Sequence, residues 1–144
     1  MTADARRIAR TQAWLVKAQR DLLVAEQLFA HEQPLLDAIA YHCQQSSEKV
    51  LKGFLFWHDI PFRKTHDLVE LLAQCAAIDT TLSILEETAN FLTPLGVEFR
   101  YPSDILEPPL DEAQEAFERA KVLFAEIVKR LPGDVAPADQ IHRD

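Results

Sequence analysis

Three groups of side chains in this 144-residue chain have types and spacings suited to holding an anion. His42, Gln45, Lys49 and Lys52 follow one another at steps of three, four and three, which on a helix places them in a single row. Two ammoniums and an imidazole in a row meet the charge and hydrogen-bonding needs of a phosphate. The plainer reading of the same row is a solvated helix face, with Glu48 and Lys52 as an ordinary (i, i+4) ion pair. Arg63, Lys64 and His66 form a second group just before a predicted helix start, where free backbone N–H groups favour anions. Its plainer reading is a capped surface turn, with Thr65 as the cap. Arg100 and Tyr101 are the third group, and a lone Arg-Tyr pair can also simply pin a loop.

Enzyme motifs are sparse. There is no glycine-rich phosphate loop, no His-Glu-x-x-His and no Gly-x-Ser-x-Gly, and His31, His42, His58, His66 and His142 show no paired metal-ligand spacing. The Glu-x-x-His pairs of a helical di-metal bundle are also missing. The sequence therefore calls for no metal and no cofactor.

Hydrophobic periodicity shows which elements must position these groups. Trp14, Leu15, Ala18, Leu22, Ala25 and Phe29 recur at helical steps and predict a first helix from about Ile8 to His31. Pro34 separates it from a second, from about Leu35 to His58, whose apolar stripe is Leu36, Ile39, Ala40, Cys43, Ser47, Val50, Phe54 and Trp57. Tyr41, His42, Gln45, Glu48, Lys49 and Lys52 lie on its opposite face. At the rim of a bundle that face would be wet; at the centre it would line a polar groove. Two long helices joined by a short loop pack antiparallel.

Pro61 marks a loop, and a shorter helix is expected from His66 to Ala77, burying Leu68, Leu71, Leu72 and Cys75. Asp79 or Thr80 can cap a fourth helix with Leu82, Leu85, Ala89 and Leu92 inside, ended by Pro94 and Gly96. Leu95 to Pro109 has no helical period and holds three prolines, so it reads as a long irregular loop of the kind that often carries function. Asp111 and Gln114 resemble a capping box ahead of a final helix with Ala113, Phe117, Ala120, Phe124, Ile127 and Leu131 inside. The segment 132–144 reads as a flexible tail after a single helical domain over 1–131.

Eight prolines against three glycines, with 48% hydrophobic residues, favour an all-α fold in one domain. A net charge of −8 argues against a general nucleic-acid coat protein but permits one local basic groove. Cys43 and Cys75 fall in apolar stripes and read as buried free thiols of a reducing compartment. No signal-peptide core and no membrane span is evident, so the expected location is cytoplasmic.

Taken together, the string Tyr41-His42-Cys43-Gln44-Gln45-Ser46-Ser47-Glu48-Lys49-Val50-Leu51-Lys52, then Lys64-Thr65-His66-Asp67-Leu68, then Arg100-Tyr101-Pro102, resembles the HEPN domain. Trp14, Lys17, Ala18 and Asp21 fit the first helix of that family, and the resemblance spans about residues 9 to 131. It implies a five-helix, mostly up-and-down antiparallel bundle, often a homodimer, with a polar groove that binds a nucleotide or RNA. It also implies a separate minimal nucleotidyltransferase as partner, in a toxin–antitoxin arrangement. Many members are metal-independent RNases with an arginine followed after a short gap by a histidine. Here Asp104, Ile105, Leu106, Glu107 and Pro108 follow Arg100 at that distance, and the next histidine is His142. The tyrosine-bearing motif modified in some toxins is likewise missing.

The resemblance therefore implies a non-catalytic nucleotide-binding member. Lys49 and Lys52 would supply charge, and His42, Gln45 and His66 directional hydrogen bonds. Arg100 would offer a planar fork for phosphate, and Tyr101 a ring to stack on a base. Two alternatives stand beside it. One is an RNase toxin drawing acid–base groups from His42, His66 and Arg100; the other is a structural oligomer or adaptor using the polar face as an interface.

Overall fold

The computed structural model describes residues 2–102 and 105–138. The described residues form five α-helices: α1 (Ala3–Phe29), α2 (Leu36–Trp57), α3 (Leu68–Ile78), α4 (Glu86–Leu92) and α5 (Leu110–Val128). Short 3-10 turns lie at Thr80–Leu85, Thr93–Gly96 and Gly133–Val135. The all-α, five-helix bundle expected from the sequence is the architecture found.

α1 begins earlier than its apolar repeat because Thr2 caps it, the hydroxyl accepting from the Ala5 N–H at 3.0 Å. Leu15, Ala18, Leu22 and Ala25 then face α2 and are fully buried. Small residues let the two long helices approach closely; a Cβ at Gly53 would sit 3.0 Å from the Trp14 Cβ and 3.2 Å from Leu15 Cδ2. α2 ends in a Schellman motif. Asp59, at φ 57°, donates its N–H to the Phe56 carbonyl, and Ile60 donates to the Leu55 carbonyl.

α2 packs against α1, α3, α4 and α5, so it is the central helix. Its buried set includes the expected stripe members Ile39, Ala40, Cys43, Ser47, Val50 and Phe54, but also Gln44, Ser46, Glu48 and Lys52. The polar face is thus partly covered. Cys43 and Cys75 are free and buried. Burial raises both thiols, that of Cys75 to about 12, so neither is a nucleophile at neutral pH.

Three local expectations are corrected. Asp67, not Thr65, caps α3: its carboxylate accepts from the Val69 and Glu70 N–H groups, while Thr65 Oγ1 accepts from Asp67 N–H. The fourth helix opens as a 3-10 turn, with the Asp79 carboxylate accepting from Thr81 N–H, and becomes α-helical only at Glu86. α5 starts at Leu110 after Pro109, so Asp111 lies inside the first turn, where its carboxylate accepts from Glu112 N–H at 2.9 Å instead of forming the capping box.

After α5 the chain stays packed. Val135 is buried, the turn Gly133–Val135 lies against α1, and Gln19 Nε2 donates to the Ala138 carbonyl at 2.8 Å. The rest of the expected tail, 139–144, lies outside the described residues.

Candidate nucleotide site on the polar face of α2

Two carboxylates organise the polar face, one from α1 and one from α2 itself. Asp21, nearly buried on α1, receives Lys49 Nζ at 2.7 Å on one oxygen and His42 Nδ1 at 2.8 Å on the other. Glu48, 5% exposed, receives Lys52 Nζ at 3.0 Å and His66 Nδ1 at 2.7 Å. Gln44 and Gln45 point their amide nitrogens at the same Glu48 oxygen, at 3.4 and 3.5 Å. A carboxylate only accepts, so the nitrogen of each imidazole that faces it carries the hydrogen. Nε2 of each ring is then the nitrogen left for a ligand.

His42, Gln45, Lys49 and Lys52 therefore form no simple row. They divide between two clusters, His42 and Lys49 on Asp21, Gln45 and Lys52 on Glu48, with His66 joining the second from the loop before α3. The Glu48–Lys52 pair is not the exposed helix pair that its spacing suggested, since Lys52 is only 8% exposed. Its cover comes from the loop before α3, where His66 meets Glu48 and the Phe62 ring lies 5.8 Å from Lys52 Nζ.

Gln44 locks that cover in place. It is fully buried, donates to the His66 carbonyl at 3.0 Å, and accepts from Gln45 Nε2 at 2.7 Å. Gly96 makes room for it: a Cβ there would lie 2.8 Å from Gln44 Cδ.

Arg100 and Tyr101 lie near the first cluster. The Arg100 guanidinium sits 4.9 Å from the centre of the Tyr41 ring and 5.9 Å from that of Tyr101. Tyr41 in turn meets His42 edge to face at 5.3 Å. Arg100 is exposed and Tyr101 is 66% exposed, so both residues are open to solvent.

The Arg63-Lys64-Thr65-His66 group does not form an anion site at the start of α3. Arg63 makes a two-pronged pair with Glu70 at 2.6 and 2.8 Å, which raises the guanidinium and lowers the carboxyl, and Asp67 already occupies the N-cap. His66 is drawn away to Glu48. Sequence reasoning missed Asp21 and Glu48 as anchors and Gln44 and Gly96 as supports. The signal for Asp21 was its place four residues beyond Lys17 on the first helix; nothing local marked Gly96.

No cluster of His, Cys, Asp and Glu suited to a metal occurs among the described residues. No helix among them is long and apolar enough to cross a membrane.

A bundle whose central helix carries a buried carboxylate–histidine–lysine face, closed over by the loop before α3, defines a helical domain of a recognisable kind. The family model of the HEPN domain matches residues 11–131, and the chain belongs to that family. Among solved structures, the crystal structure of TT1696 from Thermus thermophilus is similar, with a TM-score of 0.72 and 25% identity over 85% of this chain and 98% of that one. No curated protein matches.

Proposed function

We propose that this protein binds the phosphate of a nucleotide or an RNA on the polar face of α2, without cleaving it. The supporting observation is the charge arrangement around the two carboxylates. Lys49 and Lys52 pair with Asp21 and Glu48, and Arg100 lies over the Tyr41 ring beside them, an excess of one positive charge with neutral imidazoles and of three when both are protonated. Each imidazolium then donates to its own carboxylate and, through Nε2, to a phosphate oxygen. Arg100, held against Tyr41, offers its fork, and Tyr101 a ring for a base. The protein works in this reading as a cytoplasmic homodimer, paired with a separate minimal nucleotidyltransferase in a toxin–antitoxin module.

Calorimetric titration with ATP, GTP and a short RNA at two salt concentrations tests the binding. A salt-sensitive heat is expected in the wild type and a loss of at least roughly tenfold in affinity in His66→Ala, Arg100→Ala. Unchanged affinity in that variant would refute the site.

A second reading draws on one feature, the carboxylate behind each imidazole. Glu48 orients His66 as an acid orients a general base, and His66 is two-thirds exposed. Metal-independent RNA cleavage lost on His66→Ala would establish this RNase reading; an inert protein would leave the binding function.

A further inference from the structure

A separate groove runs between α1 and α2 beside the polar face. One cleft in it, about 440 Å³, is lined by Arg10, Ala13, Trp14, Lys17, Lys49 and Phe56. All its charged groups are cationic. Arg10 and Lys17 are exposed and take part in no ion pair among the described residues. In a chain of net charge −8, two unneutralised cations flanking a tryptophan are a local reversal of sign.

The sequence builds this groove from one stripe of α1. Arg6, Arg10, Trp14, Lys17 and Asp21 follow at steps of four, four, three and four, so they lie along a single side of the helix over about 22 Å. Gly53 on α2 lets Trp14 settle against the facing helix, and the Trp14 ring meets Phe62, in the loop between α2 and α3, edge to face at 6.1 Å. The indole is thereby half-buried, neither projecting nor absorbed into the core. A second cleft of about 490 Å³ shares Arg10 and Phe56 with the first and is lined as well by Arg6 and Arg7 and by the carboxylates Asp4 and Asp59.

We propose that this groove binds single-stranded RNA, with Arg10 and Lys17 pairing with successive phosphates and Trp14 stacking on a base. A recessed aromatic ring between cations suits a ligand that is flat and anionic at once. A membrane surface would call for protruding rings instead, and an acidic peptide would gain little from the indole. The groove lies outside the polar face described above and shares only Lys49 with it, through the pair with Asp21. A strand in the groove therefore reaches the polar face at Lys49.

The test is fluorescence polarisation of a labelled single-stranded RNA of about 12 nucleotides, within the site sizes usual for such grooves, against the full chain, its Arg10→Ala, Lys17→Ala variant and its His66→Ala, Arg100→Ala variant. ATP binding is measured alongside. Both groove positions are exposed, so the first variant keeps its fold, which circular dichroism verifies. The groove variant is expected to lose roughly tenfold or more in RNA affinity, to flatten the slope of log affinity against log salt by about 1.4, and to bind ATP unchanged. A Trp14→Leu variant is expected to weaken RNA binding with the salt slope intact. RNA affinity unaltered in the groove variant, absence of RNA binding, or displacement of the RNA by a polyglutamate peptide at equal charge would each overturn the proposal. Loss of ATP binding in His66→Ala, Arg100→Ala belongs to the polar face alone, so the two sites stand or fall separately.

Discussion

Glu48 has four nitrogen neighbours and almost no contact with water: Lys52, His66, Gln44 and Gln45 all converge on it. Removing one member of a buried ion pair leaves the other charged and unpaired, which costs more than the pair itself contributes. Glu48→Gln is therefore expected to destabilise the fold by about 3 kcal/mol in urea unfolding, and Glu48→Leu combined with Lys52→Met to recover most of that. At this scale the sequence revealed residue types but not their burial. The helical period places Glu48 opposite the apolar stripe, and that position reads as wet unless one knows which other segment lies over it. His42, Lys49, Lys52 and His66 were legible as a polar set. How His42, Lys49 and His66 divide between Asp21 and Glu48 was not, because it depends on contacts across 18 to 28 positions of chain.

Helices α1, α2 and α5 were legible to within a few residues because their apolar repeats are long, and packing later moved only their ends. Caps were harder to read. Thr65, Asp67, Asp79 and Asp111 all have capping side chains, and the choice among them falls to the backbone around them. Asp59 is an informative case at the end of α2, where its φ of 57° suits glycine better than any residue with a Cβ. Asp59→Gly should raise stability by about 0.5–1 kcal/mol, seen as a higher urea midpoint with an unchanged slope. The opposite is expected at Gly96, where a methyl group would collide with Gln44. Gly96→Ala should cost about 1–3 kcal/mol and weaken nucleotide binding, because displacing Gln44 frees the His66 loop. Retained binding with only lower stability would separate that support from the site.

At the scale of the whole molecule, His58, Glu70, Asp79 and Glu126 point in one direction on acidification. His58 is held below its ordinary value by burial and by the charge of Arg7, so the unfolded chain takes up a proton that the folded one refuses. Stability therefore falls as pH drops below about 6.5, until the folded His58 is itself protonated. Asp79, held low first by the Thr81 hydroxyl, and Glu126 and Glu70, held low first by Arg130 and Arg63, act further down. Their contributions are present above the ordinary carboxyl range and are lost as pH falls through their lowered values. Thermal midpoints should decline in two stages from about pH 7 to about pH 3, and His58→Asn should flatten the first stage alone. A first stage that persists in that variant would place its origin elsewhere. The class of the molecule was the most legible part of the sequence, since ordered motifs across three distant segments are scarcely affected by local errors in helix ends.

The central claim is that the α2 polar face holds a phosphate, and the imidazoles report on it directly. Nitrogen-detected NMR of the histidine rings during titration with ATP should move the Nε2 signals of His66 and His42, leaving His31 and His58 in place as internal references. Movement of His58 or His31 with His66 and His42 unchanged would contradict the account and place the ligand on another surface of the bundle.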